Sequence, residues 1–145
     1  MFARLKQLWA GKTSGLTRQQ KSGNDGERLA AEMLEKTKGM KILARNWRSP
    51  RDHRDEIDLV ALDSEILVFI EVKTRSENAL VAGFYAVDKR KKKALLRACR
   101  AYINSLAPQD RPHTMRFDVI EVSTSASNES EVRHFENIPL FLKCE

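Results

Sequence analysis

At 145 residues the chain is long enough to bury one hydrophobic core and too short for two full ones. Its 41% hydrophobic and 32% charged residues exclude a disordered chain, and the charged share exceeds the roughly 25% of ordinary soluble domains. The excess is basic, +6 net, which favours a polyanionic partner such as nucleic acid or an anionic membrane surface.

Residues 1–10 carry Phe2, Leu5, Leu8 and Trp9, interrupted by Arg4 and Lys6, with no apolar run of signal-peptide or bilayer-spanning length. A soluble, cytoplasmic protein with no stable membrane insertion is expected. This segment reads as a local cap or unstructured leader rather than as an amphipathic helix that touches a membrane or partner. Residues 11–23, rich in Gly, Ser, Thr, Lys and Gln, read as a flexible linker. The expected organisation is a basic leader, 1–23, and one domain, 24–145. The two cysteines, Cys99 and Cys144, form neither a disulfide framework nor a CxxC ligand pair, which fits a reducing compartment.

Asn24 or Asp25 can cap a helix over 25–38 with Leu29, Ala30, Met33 and Leu34 on one side, and Gly39 supplies its left-handed stop. A strand is predicted over 41–47, then a polar loop containing Pro50, then two apolar-rich strands over 57–62 and 66–74 joined by a turn at Asp63 and Ser64. Asp88 can cap a second helix over 89–106, with Leu95, Ala98, Cys99, Tyr102 and Ile103 at helical spacing. Pro108 and Pro112 end it, residues 115–122 alternate like a strand, and 132–141 adds an edge strand or a short helix.

The hairpin carries the chemistry. With Asp63 and Ser64 as its loop, Asp58 lies opposite Phe69, with Glu71 on the diagonal. Ile57, Leu59, Ala61, Ile66, Val68, Ile70 and Val72 then form one apolar face for a helix to cover. The other face carries Val60, Leu62, Leu67 and Phe69 near the turn and Glu56, Asp58, Glu71 and Lys73 at the open end. Carboxylates crowded beside an apolar patch need a counter-charge. Lys73 supplies part of it, and Mg2+ or Mn2+ would supply more while leaving positions open for phosphate. Asp58 and Glu71 would hold the ion, the backbone carbonyl of Val72 could add a ligand, and Lys73 could orient or deprotonate a water. The competing reading is an ordinary exposed pair, Glu71 and Lys73, at a strand end.

The runs Asp55 to Val60 and Val68 to Arg75 resemble the D…ExK signature of the restriction-endonuclease-like superfamily. More narrowly, they are similar to the YraN family of endonuclease-like proteins related to archaeal Holliday-junction resolvases. The likeness extends to Gly26-Glu27 at the opening of the first helix, Ile42 to Arg48, the basic helix, and Arg116-Phe117-Asp118-Val119. It implies an α/β fold with an αβββαβ core, a mixed central sheet flanked by helices, Mg2+ dependence and action on DNA. It also implies site roles for Asp58, Glu71, Lys73 and Glu27. Junction-cutting relatives are dimers, so a homodimer is a further expectation. One departure stands out: Asp55 occupies a position where the family usually has Gly, adding negative charge at the mouth of the site.

For Glu27, a helix-dipole role in a first turn suffices locally, and the resemblance adds the site role. Lys89, Arg90, Lys91, Lys92 and Lys93 crowd a helix N-terminus against its dipole, which favours phosphate contacts over a merely solvated face. Arg75, Arg97 and Arg100 could extend that surface. Trp47, Tyr102 and Ile103 read as core or rim packing, and Asp118 as a paired structural carboxylate. His53, His113 and His134 have no ligand spacing. The function expected is a metal-dependent DNA endonuclease, selective for junctions or branches. The alternative is a nucleic-acid-binding or scaffold module that keeps the fold without the chemistry.

Overall fold

The computed structural model describes residues 18–76, 89–125, 127 and 129–140. The leader and linker residues 1–17, Asp88 and Cys144 lie outside the described residues. Helix α1 spans Arg18–Lys38, followed by strands β1 (Lys41–Arg48), β2 (Glu56–Asp63) and β3 (Ile66–Ser76). Helix α2 (Lys89–Ser105), a 3-10 turn at Pro108–Asp110, and strands β4 (Thr114–Thr124) and β5 (Ser130–Phe135) complete the order. The five strands form one sheet in the order β1-β2-β3-β4-β5. Only β3 and β4 run parallel, joined through α2, because parallel neighbours need a crossover. This is the mixed α/β arrangement expected, with an αβββαβ core and β5 as an edge strand opposite β1.

The sheet is buried on both faces. On one side α1 contributes Ala30, Ala31 and Leu34 to a cluster with Leu59, Ala61, Val68, Ile70, Ile120 and Val122. On the other, α2 packs Leu95, Ala98, Cys99 and Tyr102 onto Val60, Leu67, Phe69, Phe117 and Val119. Covering both faces explains why β2 and β3 read as continuous apolar runs. Each large side chain so enclosed contributes about 1.5–3 kcal/mol. Trp47 and Tyr102 meet edge to face, with ring centroids 5.3 Å apart, so Trp47 is packing rather than a stacking platform.

Local expectations are corrected in α1 and in the hairpin. Helix α1 begins at Arg18 rather than at Asp25, since Gln19, Gln20 and Lys21 are good helix formers. Asn24 and Asp25 are therefore interior positions and cap nothing, and Glu27 lies well past the first turn, where the helix dipole no longer favours it. Gly39, at φ 66°, does end the helix, and the Met40 N–H returns to the Leu34 carbonyl at 3.0 Å.

The hairpin turn is Ser64-Glu65, not Asp63-Ser64. Asp63 pairs with Ile66, Ser64 takes the left-handed conformation at φ 53°, and Arg116 holds the Asp63 carboxylate at 2.9 Å, keeping that residue in the ladder. Each strand shifts by one residue, so the paired side chains from Leu59 to Ile70 keep their faces. The ladder Leu62↔Leu67 through Leu59↔Ile70, continued by one step, brings Asp58 level with Glu71 rather than with Phe69. The apolar row on the α1 side also stops short, because Ile57 packs in the α2-side cluster.

Candidate active site

The parity of β3 puts Phe69, Glu71, Lys73 and Arg75 on the face that α2 covers. Phe69 is sealed in the core, whereas Glu71 and Lys73 lie toward the end of that face. Glu71 is only 4% exposed, a burial that a carboxylate tolerates only with partners. Two ammonium groups supply them: Lys73 Nζ at 3.1 Å and Lys91 Nζ, from the first turn of α2, at 3.4 Å, both on Oε1.

Asp58 enters from β2. Its Oδ2 accepts the Val72 backbone N–H at 2.8 Å, at the point where the β2–β3 ladder ends. Burial, and next the neighbouring charge of Glu71, push its carboxyl up to about 8 against the lowering effect of that N–H. The site holds one carboxyl reluctant to ionise beside another neutralised by lysines. A strand residue sends its N–H and C=O to the same edge, so the Val72 carbonyl also faces the β2 side.

Glu27 reaches the same neighbourhood from α1. Burial raises its pKa, a hydrogen bond with the Asn46 side chain opposes that, and the charges of Glu56 and Glu71 raise it further. Its approach depends on Gly26: a Cβ there would run into Thr74 Oγ1, so only glycine lets α1 come this close to β3. Asn46 itself sits at φ 48°, a left-handed conformation that asparagine tolerates better than most residues.

Asp58, Glu71, Lys73 and Glu27 are thus brought together. Of the cationic run, Lys91 reaches Glu71 directly, Lys92 is half-buried, and Lys89, Arg90 and Lys93 are exposed on the same helix end. Arg75 continues the β3 row, and its Nε is buried without a hydrogen-bond partner. Among the described residues, no group of three His, Cys, Asp or Glu side chains stands ready to enclose a metal ion. The oxygens of Asp58 and Glu71 and the Val72 carbonyl are nevertheless the hard donors that Mg2+ or Mn2+ takes, and a cation would offset the burial and the Glu71 charge that raise the Asp58 pKa.

Asp55, expected to add negative charge at the mouth of the site, is instead buried and neutralised. Arg97 of α2 holds it through two bonds, 2.8 Å and 3.1 Å, which fastens α2 to the loop before β2. Arg97 is therefore committed to that pair rather than to the cationic surface. Asp118 behaves as the structural carboxylate expected. It is fully buried on the α1-facing parity of β4, bonded to Arg116 Nε at 3.0 Å, His134 Nε2 at 2.8 Å and the Asn137 N–H at 2.9 Å. Although burial works against its charge, these partners hold its pKa below the ordinary value.

Two residues escaped the sequence reading. Asn46 supports Glu27, and its only signal was an asparagine suited to a left-handed position. Glu121 is buried on β4, in register with Lys73 on one side and Arg133 on the other. Finding it requires knowing that β3 and β4 pair in parallel and with which offset.

Residues 26–122 match the model of the uncharacterised protein family UPF0102. A UPF0102 protein of Chlorobaculum tepidum is 42% identical over 114 residues, covering 79% of this chain and 84% of that protein. One of Porphyromonas gingivalis is 42% identical over 123 residues, 83% of this chain and 86% of the relative. One of Alkaliphilus oremlandii is 37% identical over 117 residues, 81% and 96% of the two chains. The matched segment contains the whole of the Glu27, Asp58, Glu71 and Lys73 cluster.

Proposed function

The chain belongs to the UPF0102 family, whose description assigns no activity, and we propose that this member is a metal-dependent DNA endonuclease of the restriction-endonuclease-like kind acting in the cytoplasm. The observation that carries the reading is the convergence of Asp58 and Glu71 from adjacent strands with Lys73 on the same face, beside the cationic first turn of α2. The hairpin resemblance to the D…ExK signature supports the same reading.

In this reading Asp58, Glu71 and the Val72 carbonyl would hold a Mg2+ or Mn2+ ion. When bound, the ion would supply positive charge at the scissile phosphate and lower the pKa of the attacking water. Lys73 would orient that water and, in its amine form, take its proton. Glu27, held by Asn46, joins the same site from α1. Lys89, Arg90, Lys91, Lys92, Lys93 and Arg75 bind the phosphate backbone and position the duplex without reading its sequence. Branch selectivity, and a homodimer that would set two such sites on one junction, belong to the same proposal.

A second reading has its own support. Glu71 is already neutralised by two lysines and Asp58 already has a backbone donor, as in a nucleic-acid-binding module that performs no chemistry. The two are separated by incubating purified protein with labelled linear, flapped and four-way-junction DNA in Mg2+, Mn2+ and EDTA. Metal-dependent products from one of these substrates support the nuclease. Binding to them without cleavage in either metal supports the module and overturns the nuclease.

A further inference from the structure

Two lysines share one oxygen of Glu71, and they differ in how they are held. Lys73 is two residues from Glu71 on the same strand and face, so the backbone fixes its neighbourhood to the carboxylate. Lys91 comes from another element, across the space between α2 and the sheet, and its side chain is 38% exposed against 6% for Glu71. It also stands in the first turn of α2, where the helix dipole disfavours a cation, with Lys89, Arg90, Lys92 and Lys93 alongside it. Glu71 offsets that unfavourable placement, and the lysine side chain is partly exposed to solvent.

We propose that Lys91 is the exchangeable counter-ion of Glu71: it neutralises the carboxylate before a divalent cation arrives and is released to bind nucleic-acid phosphate once the cation takes Glu71. This rests on the metal reading given above and goes beyond it by coupling metal loading to the cationic end of α2. The coupling is a competition. Lys91 and the cation are alternatives at one oxygen, so the lysine weakens metal binding, and metal binding frees an ammonium for phosphate. Metal and nucleic acid then assist each other.

The test compares wild type with Lys91→Ala, Lys91→Arg and, as a charge-matched control on α1, Lys36→Ala, in two measurements. In a calorimetric titration with MnCl2, Lys91→Ala is expected to bind the metal roughly twofold to fivefold more tightly than wild type, the amount an exposed ion pair supplies. Lys91→Arg and Lys36→Ala should stay near wild type. In a binding assay with a short DNA duplex, Lys91→Ala should match wild type in EDTA. With Ca2+ present to fill the site, it should bind more weakly, with a salt slope lower by about one phosphate contact.

Equal Mn2+ affinity in wild type and Lys91→Ala overturns the exchange while leaving the metal site standing. Equal loss of DNA affinity with and without metal also overturns it, leaving Lys91 as a plain phosphate contact. If wild type and Lys91→Ala both bind no Mn2+, the metal reading falls and takes the exchange with it.

Discussion

Asp58 and Val72 are joined by a bond that belongs to neither a strand ladder nor a salt bridge: the Val72 backbone N–H donates to Asp58 Oδ2 at 2.8 Å. The side chain replaces a backbone partner at the point where β2 and β3 part, and so fixes the carboxylate beside Glu71. The amide stabilises the ionised carboxylate, but burial and the charge of Glu71 outweigh it, leaving the Asp58 carboxyl raised to about 8. Without a cation, ionised Asp58 is a destabilising element of the fold.

That imbalance predicts a pH dependence of known sign. A carboxyl whose pKa is higher folded than unfolded favours the folded state most where it is protonated in both, and this contribution is lost as pH rises from the unfolded value toward about 8. Asp58→Asn keeps an acceptor for the Val72 N–H and removes the titration. Its melting temperature in EDTA should match wild type near pH 4, rise progressively above it, and lead by several degrees at pH 8 and beyond. A constant difference across that range would remove the assigned cause.

Metal addition should reverse the effect. At pH 8, Mg2+ or Mn2+ is expected to raise the melting temperature of wild type, because a ligand that binds only the folded state stabilises it by about 2.7 kcal/mol at a hundredfold excess over its Kd. Asp58→Asn and Glu71→Gln should gain much less. Equal gains in all three proteins would place the binding elsewhere.

Gly26 can be tested by crowding. Gly26→Ala brings a methyl group onto Thr74 Oγ1 and is expected to cost about 1–3 kcal/mol by chemical denaturation, although alanine is the better helix former. Adding Thr74→Ala should recover most of the loss. A stable single variant, or no recovery in the double one, would show that α1 and β3 do not meet there as described.

The Asp55–Arg97 pair anchors α2 beside the site. Arg97→Ala leaves a buried carboxylate without its guanidinium, and a loss of about 1–3 kcal/mol is expected, toward the lower end because the arginine side chain is 59% exposed. Asp55→Asn with Arg97→Ala should cost less than Arg97→Ala alone. Additive losses would mean the two residues act independently.

Much of this was legible in the residues. The helical spacing of Leu95, Ala98, Cys99 and Tyr102 gave the buried stripe of α2, and alternation along β3 put Glu71 and Lys73 on the face of Phe69. Parity survived a wrong turn assignment from Leu59 to Ile70, since moving the loop by one residue on each strand changes the partner and not the face, but it failed at Ile57. Charge pairing was far less readable. Nothing in the local pattern says that Asp55 will find Arg97 across 42 positions, or that Lys91 will reach Glu71 while Lys89, Arg90 and Lys93 stay exposed. Glu121 stayed hidden because its place beside Lys73 follows from the offset of a parallel pair, which neither strand encodes alone.

The most direct measurement is cleavage of a labelled four-way junction by wild type and Lys73→Ala in Mg2+ and in EDTA, with junction binding recorded for both proteins. The expected result is product from wild type in Mg2+ only, at least about a hundredfold less from Lys73→Ala, and comparable binding by the two. Equal metal-dependent cleavage by both proteins would contradict the assignment of Lys73, and binding without product from wild type would contradict the nuclease itself.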